Sequence, residues 1–199
     1  MQFTDNYYDY YSKAIMKFPP IHLLIAILSV GYLSAQNTTQ TTKNQGMNPN
    51  FSIVENTQQS LTHQTLLAAM QGSDLEDLLR NDGPFTVFAP SDKAFSKISS
   101  EKIAELLKSE NKKDLTSLLT YHIIAGKISA SKILKAMCQG NGVATYTTVQ
   151  GKEIVATMKG TDIILTDALG HSAKITAADA EQCNGVMHLI DSVILPKQI

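Results

Sequence analysis

Tryptophan is absent from the 199 residues, aromatic side chains make up only 7%, and there are two cysteines, Cys138 and Cys183. The shortage of aromatics removes the flat platforms on which proteins stack sugars and bases, leaving scattered tyrosines for that task. No Cys-x-x-Cys or His-Glu-x-x-His pattern occurs. A metal site would have to be gathered entirely by folding, and no metal or cofactor is expected. Charge is balanced as well, with 17 Lys+Arg against 18 Asp+Glu and a net charge of -1. A near-neutral chain without a basic stripe is not a nucleic-acid binder and does not adhere to anionic lipid by charge. Catalytic signatures are missing too: there is no Gly-x-Ser-x-Gly elbow and no phosphate loop, and the glycines punctuate turns. Asp162 and Asp167, five apart on one expected strand, fall on opposite faces and form no acid pair. No catalytic residue is assigned, and the chain is not expected to be an enzyme.

Long apolar runs are also lacking. The main one, Ile21 to Tyr32, has 12 residues, short of the roughly 20 needed to span a bilayer. Lys13 and Lys17 precede it and the small pair Ser34-Ala35 follows, which is the order of a secretory signal. Residues 1–35 are therefore expected to be a signal peptide, with an uncleaved anchor as the alternative and no membrane span after cleavage. Tyrosine-rich residues 1–15 make a poor lead-in, and Met16 gives a more compact start. Residues 36–50, QNTTQTTKNQGMNPN, cannot bury enough surface to offset their ordering entropy and read as a flexible polar linker. Residues 51–199 then form one domain. Export would place both cysteines where thiols oxidise, so a Cys138–Cys183 disulfide, worth about 4 kcal/mol for a loop of that length, is one reading. Two unrelated buried thiols are the other.

Within the domain the hydrophobic period changes once. Up to Met137 it is helical: Thr62 to Gln71, a capping box at Ser73-Asp74-Leu75-Glu76 opening a second helix, Glu101 to Lys108, Asn111 to Tyr121, and Ser129 to Met137. Phe85 to Phe88 interrupts as a strand, Ala89-Pro90 ends it, and Ser91 caps a short helix. From Val143 the segments are short, β-rich and separated by Gly turns: Val143 to Val149, Glu153 to Met158, Asp162 to Asp167, Ser172 to Thr176 and Val186 to Leu195. A helical cluster packed on an antiparallel wedge is an α+β domain, and the Phe85 strand must join its sheet from a distance. His22 falls in the leader and His63 at a polar helix start. His122, His171 and His188 have no clustered partners, and His188 and Asp191 lie on opposite strand faces, so structural roles are expected.

Three stretches carry a family resemblance. Phe85-Thr86-Val87-Phe88-Ala89-Pro90-Ser91-Asp92-Lys93-Ala94-Phe95 resembles the first signature of fasciclin domains, and Asn184 to Pro196, NGVMHLIDSVILP, resembles the second. Leu118 to Lys127, with Tyr121-His122 at its centre, looks like the family's tyrosine-histidine segment. The resemblance covers residues 51–199 and implies a secreted, extracellular or periplasmic domain of helices and a β-wedge, of the kind found in matrix and cell-adhesion proteins. It implies a noncatalytic binding or adhesion role toward an unknown protein or polysaccharide. It also carries the family's integrin-linked pair onto Tyr121 and His122, although their place between an apolar helix and an apolar strand favours packing. Two alternatives stand beside it: a small-molecule binder or hydrolase with a pocket near Tyr121 and His122, and an envelope structural protein with no dedicated ligand. Thr86, Phe88, Pro90, Asp92, Phe95, His188 and Asp191 are expected to hold the fold, with Asp92 accepting a hydrogen bond from Thr86.

Overall fold

Capping starts the first helix of the described residues. The Glu55 N–H donates to Ser52 Oγ at 3.3 Å and the Ser52 N–H donates to Glu55 Oε2 at 2.7 Å, a reciprocal box that opens α1 (Ile53–Gln59). This helix escapes a reading of the sequence, because it has seven residues and buries polar Asn56 and Thr57 beside Ile53 and Val54. The box expected at Ser73 to Glu76 does not form. Ser73 Oγ donates back to the Met70 carbonyl at 2.9 Å at the end of α2 (Gln64–Gly72), and α3 (Glu76–Asn81) starts at Leu75 with no side-chain cap. The remaining α-helices among the described residues are α4 (Asp92–Phe95), α5 (Ser100–Leu106), α6 (Lys112–Tyr121) and α7 (Ala130–Gln139), with a 3-10 turn at Ser109–Asn111 before α6. Ser91, Ser99 and Ser129 cap the starts of α4, α5 and α7, each accepting a backbone N–H three residues on.

The computed structural model describes residues 46–196. The expected signal segment, and the expected linker as far as residue 45, lie outside the described residues. Two positions near the end of the linker are anchored: the Asn48 N–H donates to Asn56 Oδ1 at 2.7 Å, Asn56 Nδ2 donates to the Asn48 carbonyl at 2.8 Å, and Met47 packs against the helical core.

Seven strands form one sheet among the described residues: β1 (Phe85–Pro90), β2 (Ile123–Ala125), β3 (Val143–Thr147), β4 (Glu153–Lys159), β5 (Asp162–Thr166), β6 (Ser172–Gln182) and β7 (Gly185–Ile190). Their order is β2-β1-β7-β6-β5-β4-β3. The expected antiparallel hairpins are present from β3 to β7, but β1 and β7 pair in parallel, Phe85 opposite Gly185 through Pro90 opposite Ile190. The two signature strands, a hundred residues apart in sequence, are thus neighbours. Their glycines have a reason beyond turn-making. A Cβ on Gly185 would fall 2.1 Å from the Phe85 carbonyl oxygen, and one on Gly83 would fall 2.4 Å from the Asn184 carbonyl oxygen. Each glycine lets the other strand's entry approach.

β6 runs past its expected end at Thr176 to Gln182. It does so through two register shifts between Ile175 and Ala180, with Asp179 in the left-handed region at φ 58°. It pairs with β5 over Ser172–Lys174 and with β7 from Ile175 to Gln182. One core, including Ile53, Leu66, Leu79, Val87 and Leu118, joins the helices to the β1/β7 pair. The other, including Phe88, Ile124, Ile154 and Leu165, fills the wedge, and α7 inserts Ile133 and Met137 into it. Each such side chain, fully buried, contributes about 1.5–3 kcal/mol. The same helix corrects the cysteine reading. Met137 takes the inward face, so Cys138, about 100° further round, is exposed; Cys183 sits exposed in the turn between β6 and β7, and both thiols are free. Neither the bridge nor the buried-thiol reading holds.

Candidate functional site

Tyr121 and His122 lie where α6 ends and β2 begins, and both are buried. The Tyr121 hydroxyl donates to the Glu153 carbonyl at 2.9 Å and accepts from the Ala168 N–H at 3.1 Å. Val155 faces Thr166 across β4 and β5, so Glu153 and Ala168 are the next pair of the same parity. The hydroxyl therefore sits where the ladder would place a direct rung, and bridges two strands as they splay. His122 makes its contacts on the other side. Nδ1 lies 2.8 Å from the Leu118 carbonyl and so carries the proton, and Nε2 accepts from the Ile194 N–H at 3.3 Å. Burial pushes the ring down to about 4, against the Leu118 carbonyl and the Asp167 charge, which both favour protonation. The imidazole is neutral and its tautomer fixed.

Asp167 completes this clasp. Its side chain is wholly buried; Oδ1 accepts from the Leu169 and His171 N–H groups at 2.9 and 2.8 Å, and Oδ2 accepts from the Leu195 N–H at 2.9 Å, with His171 Nδ1 3.1 Å away. Consecutive amides of the tail, Ile194 and Leu195, are thus held by His122 and Asp167. The central segment and the second signature meet here. Asp167 as a fastener escaped the sequence, which weighed it only as half of an acid pair and rejected the pair.

The other signature residues fasten neighbouring joints. Thr86 Oγ1 donates to the Gly126 carbonyl at 2.7 Å and accepts from the Ile128 N–H at 2.9 Å, so the expected Thr86–Asp92 bond is not made. Asp92 instead reaches back to α2, accepting from the Thr65 N–H at 2.8 Å and the Gln64 N–H at 3.2 Å. It serves as the cap that His63, at the N-cap position, does not provide. Partial burial works against the Asp92 carboxylate's charge, but those amides outweigh it and hold its pKa below the usual value. His63 is itself buried, contrary to the expected polar helix start, with Nδ1 2.7 Å from Ser60 Oγ. His188 is fully buried and stacks on Phe88 with centroids 5.7 Å apart. Its Nε2 donates to the Ile128 carbonyl at 2.8 Å, and its Nδ1 accepts from the Asp179 N–H at 3.2 Å, under the β6 bulge. Asp191, as expected, does not pair with it; Oδ1 accepts from the Lys174 N–H at 2.8 Å, and Lys97 lies 3.5 Å from Oδ2. Pro90 closes the parallel pairing opposite Ile190, and Phe95 is buried in the helical core.

Asn184 was legible only as half of an Asn-Gly turn. Its Oδ1 accepts from the Ile53 N–H at 2.9 Å, and its Nδ2 donates to the Leu79 and Asp82 carbonyls at 2.7 and 2.9 Å. One side chain thus caps the start of α1 and the end of α3. Among the described residues, no group of three or more His, Cys, Asp or Glu gathers as metal ligands would, and no helix is long and apolar enough to cross a membrane.

Helices packed on a wedge whose buried polar side chains pin strands, caps and tail define a fold-holding clasp within an α+β domain. The Fasciclin domain profile matches residues 61–196, and the chain belongs to that family. It is 37% identical over 146 residues to protein sll1483 of Synechocystis, covering 73% of this chain and 74% of that one. It is 31% identical over 137 residues to the cell surface glycolipoprotein MPB83 of Mycobacterium bovis, covering 66% of this chain and 54% of that one. Among solved structures it resembles a FAS1 domain pair from the insect cell adhesion molecule Fasciclin I. The TM-score is 0.66 at 18% identity, over 75% of this chain and about half (52%) of the two-domain chain.

Proposed function

We propose that the chain is a noncatalytic adhesion module, exported to the cell envelope or beyond, that binds a protein or polysaccharide through its outer surface. The observation that carries this reading is the inward commitment of the Tyr121–His122 clasp. The Tyr121 hydroxyl and both His122 ring nitrogens are engaged by backbone groups of the same chain. A pair so employed has no polar group left to offer a partner. Contact then falls to exposed positions, in keeping with a relative described as a cell surface glycolipoprotein and a structural neighbour described as a cell adhesion molecule. The apolar run from Ile21 to Tyr32 supplies the export signal, and the polar stretch after it supplies the stand-off.

The test displays the full chain singly and as streptavidin tetramers over immobilised envelope protein and extracellular polysaccharide, with a panel of ester and glycoside substrates assayed in parallel. Retention of the tetramer, unchanged by Tyr121→Phe, is expected, because multivalency amplifies weak contacts. Turnover abolished by His122→Gln in a folded variant would overturn the reading in favour of a hydrolase, and absence of retention on every surface would overturn the adhesion role.

A further inference from the structure

The two ends of the sheet differ. β2 has three residues, and its outer side is already used: the Val149 N–H donates to the Ile123 carbonyl at 2.7 Å. β3 is the other edge, and its outer row is already taken at both ends: by the Val149 N–H, and by the Val143 N–H, which donates to the Gly140 carbonyl at 3.1 Å. The Thr148 N–H donates to the Lys152 carbonyl at 2.8 Å, which makes 148/152 a hydrogen-bonded pair, and parity along the register then turns Ala144 and Tyr146 toward β4. The N–H and C=O groups of Thr145 and Thr147 point the other way. Among the described residues they make no hydrogen bond outside the sheet, and the side chains of Val143, Thr145 and Thr147 are exposed.

Natural edges are blunted by charge, proline or a bulge. β3 has none of these: from Ala136 to Gly151 the sequence carries no charged residue and no proline, in a chain that is 18% charged overall. The sheet's bulge is in β6, away from this edge. Val, Thr and Tyr are the residues that pair well across strands.

We infer that β3 is a self-association edge, pairing antiparallel with β3 of a second copy about a two-fold axis. Thr145 would lie opposite Thr147 of the second copy, and Thr147 opposite its Thr145. An antiparallel strand is complementary to itself under a two-fold, so a second copy needs no further matching, and the uncharged flank sets no repulsion against it. So short an open edge, Thr145 to Thr147, buries less than the roughly 1,200 Å² typical of stable complexes. The pairing is therefore weak and concentration-dependent, with a dissociation constant on the order of tens of micromolar to millimolar. The edge rests on the sheet register and does not depend on the adhesion reading; if both hold, weak pairing doubles the binding surfaces presented.

The experiment is sedimentation equilibrium of the full chain across that concentration range, with amide exchange read at both extremes. Mass rising from one chain toward two is expected, with slower exchange at Thr145 and Thr147 and no change at Ala144 and Tyr146. Thr145→Pro, which removes an outward N–H only, weakens association by about tenfold or more. Thr145→Lys/Thr147→Lys, which sets like charges face to face, does the same and guards against a folding defect in the proline variant. Constant monomer mass, or association that survives both variants with Thr145 exchange unaffected by concentration, would overturn the inference.

Discussion

Removing one oxygen atom tests the clasp. Tyr121→Phe keeps the buried ring and deletes only the hydroxyl that joins the Glu153 carbonyl to the Ala168 N–H. Neither group has its ladder partner in reach, since the hydroxyl occupies the place of the rung. Stranding a buried donor or acceptor costs about 1–3 kcal/mol. The carbonyl is the more tolerant of the two, so a total loss of about 2–4 kcal/mol is expected. At about 2–4 °C per kcal/mol for a domain this size, the melting midpoint falls by about 4–16 °C. Urea unfolding followed by circular dichroism measures the loss, with an unchanged slope showing that the denatured state is unaltered. Amide exchange at Ala168 should accelerate while that of Leu165, in the middle of β5, holds. An unaltered midpoint together with an unaltered Ala168 amide would refute the inserted-rung account and return Tyr121 to the pool of contact residues.

Acid should weaken the fold through His122. Its folded pKa of about 4 lies below the ordinary value near 6.5, so the unfolded chain takes the proton first. The stabilisation is whole above pH about 6.5 and is lost as pH falls toward 4, by up to about 3 kcal/mol. Burial depresses His63 and His188 in the same direction; urea midpoints that stay level from pH 7 to pH 4.5 would contradict this. Asp92→Ala should cost about 0.5–2 kcal/mol by uncapping α2, with faster exchange at the Thr65 and Gln64 amides; loosening near Thr86 instead would revive the contact expected from sequence. Asn184→Ala leaves the Ile53 N–H and two carbonyls without their partner and should cost at least about 2 kcal/mol, read from the same unfolding curves. A thiol reagent applied without denaturant should titrate both Cys138 and Cys183, and fewer than two equivalents would point to a bond or to burial.

Local pattern alone located the β-rich second half, the long amphipathic helices and the Ser91 cap, because these depend on residues within a few positions of one another. Phe85 to Phe88 read as a buried strand for the same reason. For Tyr121 and His122 two readings stood side by side, the binding pair that the resemblance implies and packing between an apolar helix and an apolar strand, while His188 was expected to be structural. What the sequence left open was every relation between distant residues. That β1 lies parallel to β7, that Asp92 caps a helix 27 residues upstream, and that Asn184 serves both α1 and α3 are decided by chain entropy and packing over long separations. The two thiols are of this kind as well: only the rotation of α7 against the wedge, fixed by Ile133 and Met137, decides that Cys138 faces water. The sequence determined which segments are buried and where they begin; the tertiary structure decided which buried polar group meets which, because a hydrogen bond needs a partner within about 3 Å and only folding brings it there.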